Sequence, residues 1–144
     1  MDKKSIILDF LNAALGDPGD FDLGRYFTEE ATFCGPVTGG QIIPMMEWVE
    51  FKLVVQGLVG PSSFEVMNAI EQDDWISMRI RISAKCLSTA EMIVAYDCLM
   101  ARFEGDRIAE YIGHMDYFTF FQDLGLIPPG SLHACLSGQR MVWE

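Results

Sequence analysis

The sequence predicts a single α+β domain in which a curved, mostly antiparallel sheet wraps around helices near the N-terminus. Three observations carry this. A helical apolar period opens the chain, a second apolar helix follows a first strand, and long alternating segments joined by tight turns fill the second half. A chain of 144 residues buries one good core and is too short for two ordinary domains.

The elements follow in order. "MDKKSIILDFLNAALG" resembles a signal peptide in its lysines and apolar stretch, but Asp9 and Asn12 interrupt it, and Ile6, Phe10 and Ala14 share one helical face. A first amphipathic helix over about residues 3–15 is the better reading. "GDPGD" marks the turn that stops it, "FDLGRYF" a short helix, and "EEATFCG" the first strand. Pro44 suits the first turn of a helix in "PMMEWVEFKLVVQG", because that turn leaves an N–H unpaired anyway. This helix is apolar nearly all round, so a sheet or a partner subunit is expected to cover most of it. "SSFEVMNAIEQ" reads as a strand. "WISMRIRISAKC" alternates, with Ile76, Met78, Ile80, Ile82 and Ala84 on one face. "EMIVAYDCLMARF" and "RIAEYIGHM" form a hairpin about "EGD". "DYFTFFQDLG" is a closing helix stopped by Gly125, and residues 128–144 show no firm period. A sheet curled in this way commonly leaves a pocket in its concave face.

Composition removes several functions. Half the residues are hydrophobic and 12% aromatic, which excludes general disorder. The net charge of −11 argues against nucleic acid and anionic membranes as partners. No segment reaches the roughly 18 uninterrupted apolar residues of a membrane helix. Cys34, Cys86, Cys98 and Cys135 form no CxxC pair and no ligand-spaced set with His114 and His133. Reduced thiols in a cytoplasm are expected, with no metal. Nucleophile elbow, phosphate loop, HExxH and dinucleotide fingerprint are all absent from the sequence, so no cofactor is expected.

Two stretches carry a family likeness. "RYFTEEATFCGPVTGG" resembles the first-strand region of ketosteroid isomerases. "FEGDRIAEYIGHMDYFTFFQDLGLIPPG" resembles the end of the SnoaL-like polyketide cyclases, with Asp123 at a usual glutamine position. The resemblance implies the nuclear transport factor 2-like fold, a conical α+β barrel, with residues 1–127 as the domain and residues 128–144 as a C-terminal extension. The isomerase position for the proton-shuttling aspartate is Gly35 here, and Phe10 and Leu11 stand where its oxyanion tyrosine would be. The Arg-x-Asp pair of limonene epoxide hydrolases is missing, because neither Arg79 nor Arg81 has an aspartate two residues on. The acid/base aspartate of the cyclases matches Asp116.

The candidate catalytic residues are therefore Asp116, His114 and Asp97. Asp116 is read as a general acid/base in an apolar cavity or as the cap of the closing helix. Strand alternation sets Ile108, Glu110, Ile112, His114 and Asp116 toward the cavity. His114 would orient Asp116 or bond a substrate carbonyl, or be a half-exposed strand end. Asp97, in phase with Leu99, Ala101 and Phe103, would be a buried carboxyl facing the ligand or a rim residue reaching water. Trp48, Ile112, Leu99, Phe103 and Met78 are the expected ligand-binding wall.

The implied activity is cofactor-free acid/base chemistry, an aldol-type cyclisation or an isomerisation, on a hydrophobic carbonyl compound. The alternative is a non-catalytic binding or assembly module of the same fold. The apolar row Met92, Val94, Tyr96, Cys98 and Met100 points to a homodimer through the convex sheet face.

Overall fold

A computed structural model of the chain describes residues 2–16 and 21–142. Most of the expected "GDPGD" turn, residues 17–20, lies outside the described residues. Helix α1, Lys3–Leu15, begins where Asp2 accepts a hydrogen bond from the Ser5 N–H at 2.7 Å. Its buried residues, Ile6, Ile7, Phe10, Leu11 and Ala14, recur at helical spacing and form one face. A single helical turn at Leu23–Arg25 leads into strand β1, Phe27–Cys34.

Pro44 departs from the expected helical start. With Ile43 it makes the two-residue strand β2, paired to Thr32 and Phe33 of β1. An edge strand tolerates the missing N–H as well as a first helical turn does. The helical turn Met45–Glu47 follows and continues as α2, Trp48–Gln56. One face of α2 turns inward through Trp48, while Leu53 and Val54 stay exposed, so this chain alone leaves the helix half covered.

Strands β3 (Ser63–Gln72), β4 (Trp75–Lys85), β5 (Met92–Glu104) and β6 (Arg107–Met115) complete a six-stranded sheet in the order β2-β1-β6-β5-β4-β3. Every pairing is antiparallel except β1 with β6. The sheet is curved and unclosed, with β2 and β3 as its edges. Helix α3, Tyr117–Asp123, is followed by Gly125 at φ 79°, a conformation that glycine adopts without strain. A further helix, α4, Ser131–Leu136, lies in the extension where no period was expected. Leu132 and Leu136 are exposed there and only Ser131 is buried, so the helix has no apolar face to announce it.

Helix α1 fills one end of the concave face. Its Ile6, Ile7, Phe10 and Leu11 join Ile76, Met78, Leu99, Phe103 and Ile108 in the main core. A smaller cluster, with Val59, Ala84, Ile93, Ala95, Phe120 and Leu124, lies under α3. The space between the two is the pocket.

Candidate functional site

The pocket has a volume of about 90 Å³ and receives side chains from both ends of the fold. Leu11 and Leu15 come from α1, Phe33 from β1, Trp48, Phe51 and Val55 from α2, and Tyr117 and Phe120 from α3. The sheet supplies Phe64, Ile82, Ala84, Ile93, Ala95, Asp97, Tyr111, Gly113 and Met115. Among the described residues that line it, Asp97 carries the one carboxylate.

Asp97 is held by the β5–β6 pairing. Its Oδ1 accepts a hydrogen bond from the His114 backbone N–H at 3.0 Å. Packed by the pocket walls, the carboxyl loses hydration, and this raises its pKa above the ordinary value near 3.8. The bond from His114 and that residue's charge act in the opposite direction, more weakly. Asp97 still keeps partial contact with solvent through the pocket opening.

Two phenols share its field. Tyr111 is only 4% exposed, and its ring is fixed by Phe10 (centroids 5.7 Å), Phe27 (6.2 Å) and Phe33 (6.1 Å). Burial first, then the Asp97 charge, keeps its hydroxyl protonated well above the usual tyrosine range, and the same two causes raise Tyr117. Gly113 opens the floor beside them. A Cβ there would meet the Tyr111 ring at 3.7 Å, the Phe33 ring at 3.8 Å and Asp97 Oδ1 at 4.0 Å. The apolar pocket therefore has one carboxyl and two protonated tyrosines among its lining residues.

The expected site residues separate. Trp48 and Asp97 line this pocket. Ile112 and His114 do not; both are exposed on the opposite side of the sheet. The reason is a β-bulge. Arg102 pairs with Glu110 and Phe103 with Ile108, which leaves Ala109 as an extra residue. One extra residue reverses the facing of all that follow, so Tyr111, Gly113 and Met115 point inward instead. Glu110, also expected inside, is turned out to Arg102 at 2.7 Å.

Asp116 lies outside the cavity and is exposed. Its Oδ1 accepts from the Thr119 N–H at 3.0 Å and its Oδ2 from the Thr119 hydroxyl at 2.7 Å, the bonds of a helix N-cap. They lower its pKa, opposite to the shift expected of a carboxyl in an apolar cavity. Leu99, Phe103 and Met78 face the right way and are sealed in the main core, because α1 covers their end of the sheet.

Tyr111, Tyr117 and Gly113 were not singled out as site residues from the sequence. A signal existed: in β6 the set Tyr111, Gly113, Met115 carries no charged side chain, while Glu110, Ile112, His114 contains a carboxylate and an imidazole. Gly35, in place of the isomerase aspartate, also has a structural cause. A Cβ there would stand 2.9 Å from the Gly113 carbonyl oxygen, closer than packed atoms allow.

No protein-family model matches the chain, and no curated protein matches it in sequence. Solved structures do match in shape. AclR of Streptomyces galilaeus, a proposed hydroxylase, superposes with TM-score 0.71 at 14% identity, over 93% of this chain and 89% of its own. IdmH, a proposed polyketide cyclase from Streptomyces antibioticus, gives 0.69 at 16%, over 85% and 95%. A proposed SnoaL-like polyketide cyclase from a Jannaschia species gives 0.69 at 12%, over 87% and 92%. The chain has the nuclear transport factor 2-like fold of the SnoaL-like polyketide cyclases and ketosteroid isomerase-like proteins.

Proposed function

We propose that this protein binds a small hydrophobic carbonyl compound in the pocket and moves a proton next to its carbonyl group, with Asp97 as the acid/base. The observation that carries the reading is the placement of a single carboxyl, its pKa raised by burial, on the wall of an apolar pocket. The Asp97 carboxylate takes the proton from the α-carbon, the electron pair moves to the carbonyl oxygen, and the Tyr111 hydroxyl donates a hydrogen bond to that oxygen. Returning the proton to another atom completes an isomerisation; attack of the enolate carbon on a second carbonyl completes an aldol-type closure. The volume holds on the order of six waters, which suits a one- or two-ring molecule or one end of a longer polyketide-like chain.

Exchange of α-protons tests this without the natural substrate. In deuterated buffer the protein should accelerate deuterium incorporation into α-tetralone, and Asp97→Asn should reduce that rate by about a hundredfold, the scale for a positioned acid/base. Equal rates for the two proteins would remove Asp97 from the mechanism. A second reading, the non-catalytic binding or assembly module, is favoured by the capping role of Asp116, since the position of the cyclase aspartate does not face the pocket. Binding of α-tetralone with no exchange would support it.

The convex face is the proposed dimer surface. Met92, Tyr96, Cys98 and Met100 of β5 are exposed and Val94 is half-buried, with His114 and Ile112 beside them on β6. Light scattering at micromolar concentration should give twice the chain mass, and a monomer would discard this surface. No helix among the described residues is long and apolar enough to cross a membrane. The four cysteines stand as free thiols, which suits a reducing cytoplasm.

A further inference from the structure

The pocket has a second polar point far from Asp97. Ser62 precedes β3 and is 8% exposed, one of two buried polar residues among those described. Its backbone N–H donates to the Leu15 carbonyl at 2.7 Å, which ties it to the end of α1 and leaves the side chain on the pocket wall. Every sealed side-chain nitrogen or oxygen among the described residues has a hydrogen-bond partner. The Ser62 hydroxyl has none among them, so it is not sealed; Ser62 lines the pocket, and its register across from Ala84 puts it on the same face of the sheet as that lining residue. Its neighbours on that wall are apolar: Leu15, Val55, Val59, Phe64, Ala84 and Ile93.

The sheet register fixes how far apart the two polar points are. Asp97 and Ile93 both face the pocket and are four residues apart on β5, about 13 Å at ~3.3 Å per residue. Ile93 pairs with Ala84, and Ser63 pairs with Ser83, so Ser62 sits across from Ala84, two strands over from Ile93. Two strand spacings add about 10 Å sideways. On a curved sheet, with both side chains pointing inward, the polar atoms come closer together, to roughly 10–15 Å. A hydrogen bond of about 2.8 Å at each end leaves a ligand whose own oxygens are on the order of 5–10 Å apart. That is the span of a bicyclic molecule.

We infer that Ser62 is a second recognition point, and that the pocket selects flat, two-ring carbonyl compounds carrying a hydroxyl or second oxygen at the far end. A serine hydroxyl both donates and accepts, so it serves either group. The inference rests on the reading of Asp97 as the carbonyl end.

The test compares α-tetralone with its analogue carrying a hydroxyl on the aromatic ring, para to the carbonyl, by calorimetric titration. The wild-type protein should bind the hydroxylated compound about fivefold more tightly, the scale of one net hydrogen bond. Ser62→Ala should bind the two alike, with the affinity for α-tetralone unchanged, and Ser62→Thr should retain the preference. If both compounds bind the wild-type protein equally, or the preference survives in Ser62→Ala, Ser62 is not a recognition point and the Asp97 reading stands. If neither compound binds, both readings fall together.

Discussion

Along β4, β5 and β6 the concave face carries Ile76, Met78, Leu99, Phe103 and Ile108 at one end, and Ala84, Ile93, Ala95, Asp97 and Gly113 at the other. The strands are the same and their alternation is the same. What changes is the cover: α1 fills the first end, Ala101 included, whereas at the second Ala84, Ala95 and Gly113 leave space among Ile82, Tyr111 and Met115. The gap is where the raised carboxyl sits. The candidate pocket lies where volume is left unfilled, beside an end of the sheet that is closely packed.

The largest expected effect compares the two ends directly. Leu99→Ala, at the closed end, should destabilise by roughly 4–5 kcal/mol, near the top of the range for losing a packed aliphatic side chain. Ile93→Ala, beside the pocket, should cost only about 2 kcal/mol, because one side of Ile93 already faces space. Denaturant unfolding of the two variants measures the contrast. Equal losses would mean that the pocket end is packed as tightly as the core.

The same contrast explains what could be read from the sequence. The alternation of "WISMRIRISAKC" assigned β4 and its inner face, and the phase of Asp97 with Leu99 was enough to put it on the concave side. Alternation says which way a residue faces; it does not say whether a helix covers it. Leu99, Phe103 and Met78 were therefore grouped with Asp97 although α1 seals them away. The β6 error has a different origin. An extra residue at Ala109 is set by the pairing with β5 across the hairpin, and nothing in "RIAEYIGHM" alone announces it. His114 and Ile112 were carried to the wrong face by that single residue. The family likeness located the fold and pointed to Asp116, whose capping bonds belong to this chain's own Thr119.

An intermediate effect sharpens the contrast through pH. Asp97 has its folded pKa raised by burial, so the folded state holds its proton more tightly than the unfolded chain does. Between the ordinary value near 3.8 and the folded value, the native state carries more protons, and stability falls as pH rises. The cost is complete above the folded pKa. Asp97→Asn keeps an oxygen to accept the His114 N–H and never ionises. It should therefore be more stable than the wild-type protein at neutral pH, and the gap should shrink as pH falls toward 4. Melting temperatures recorded across that window decide the matter. A variant less stable than the wild-type protein at every pH would mean that the carboxylate is a structural partner rather than a strained group held for chemistry.

The smallest effect concerns the carboxyl on the other side of the contrast, and its sign is opposite. Asp116 has its pKa lowered by the hydroxyl and N–H of Thr119, so it stabilises the folded state when ionised. That contribution is present above the unfolded pKa and is lost as pH falls through the folded one. Asp116→Ala should cost about 1 kcal/mol at neutral pH, the usual value of an N-cap, and the loss should fade in acid. Asp116→Asn should cost only a few tenths of a kcal/mol, since asparagine caps as well as aspartate. Neither variant should change the rate of α-proton exchange, because the side chain points away from the pocket. If Asp116→Asn left the melting temperature alone and abolished exchange, the proton would have to pass through the cap position. Asp97 would then be a hydrogen-bond donor to the carbonyl rather than the base, and the two carboxyls would have exchanged roles across the same sheet.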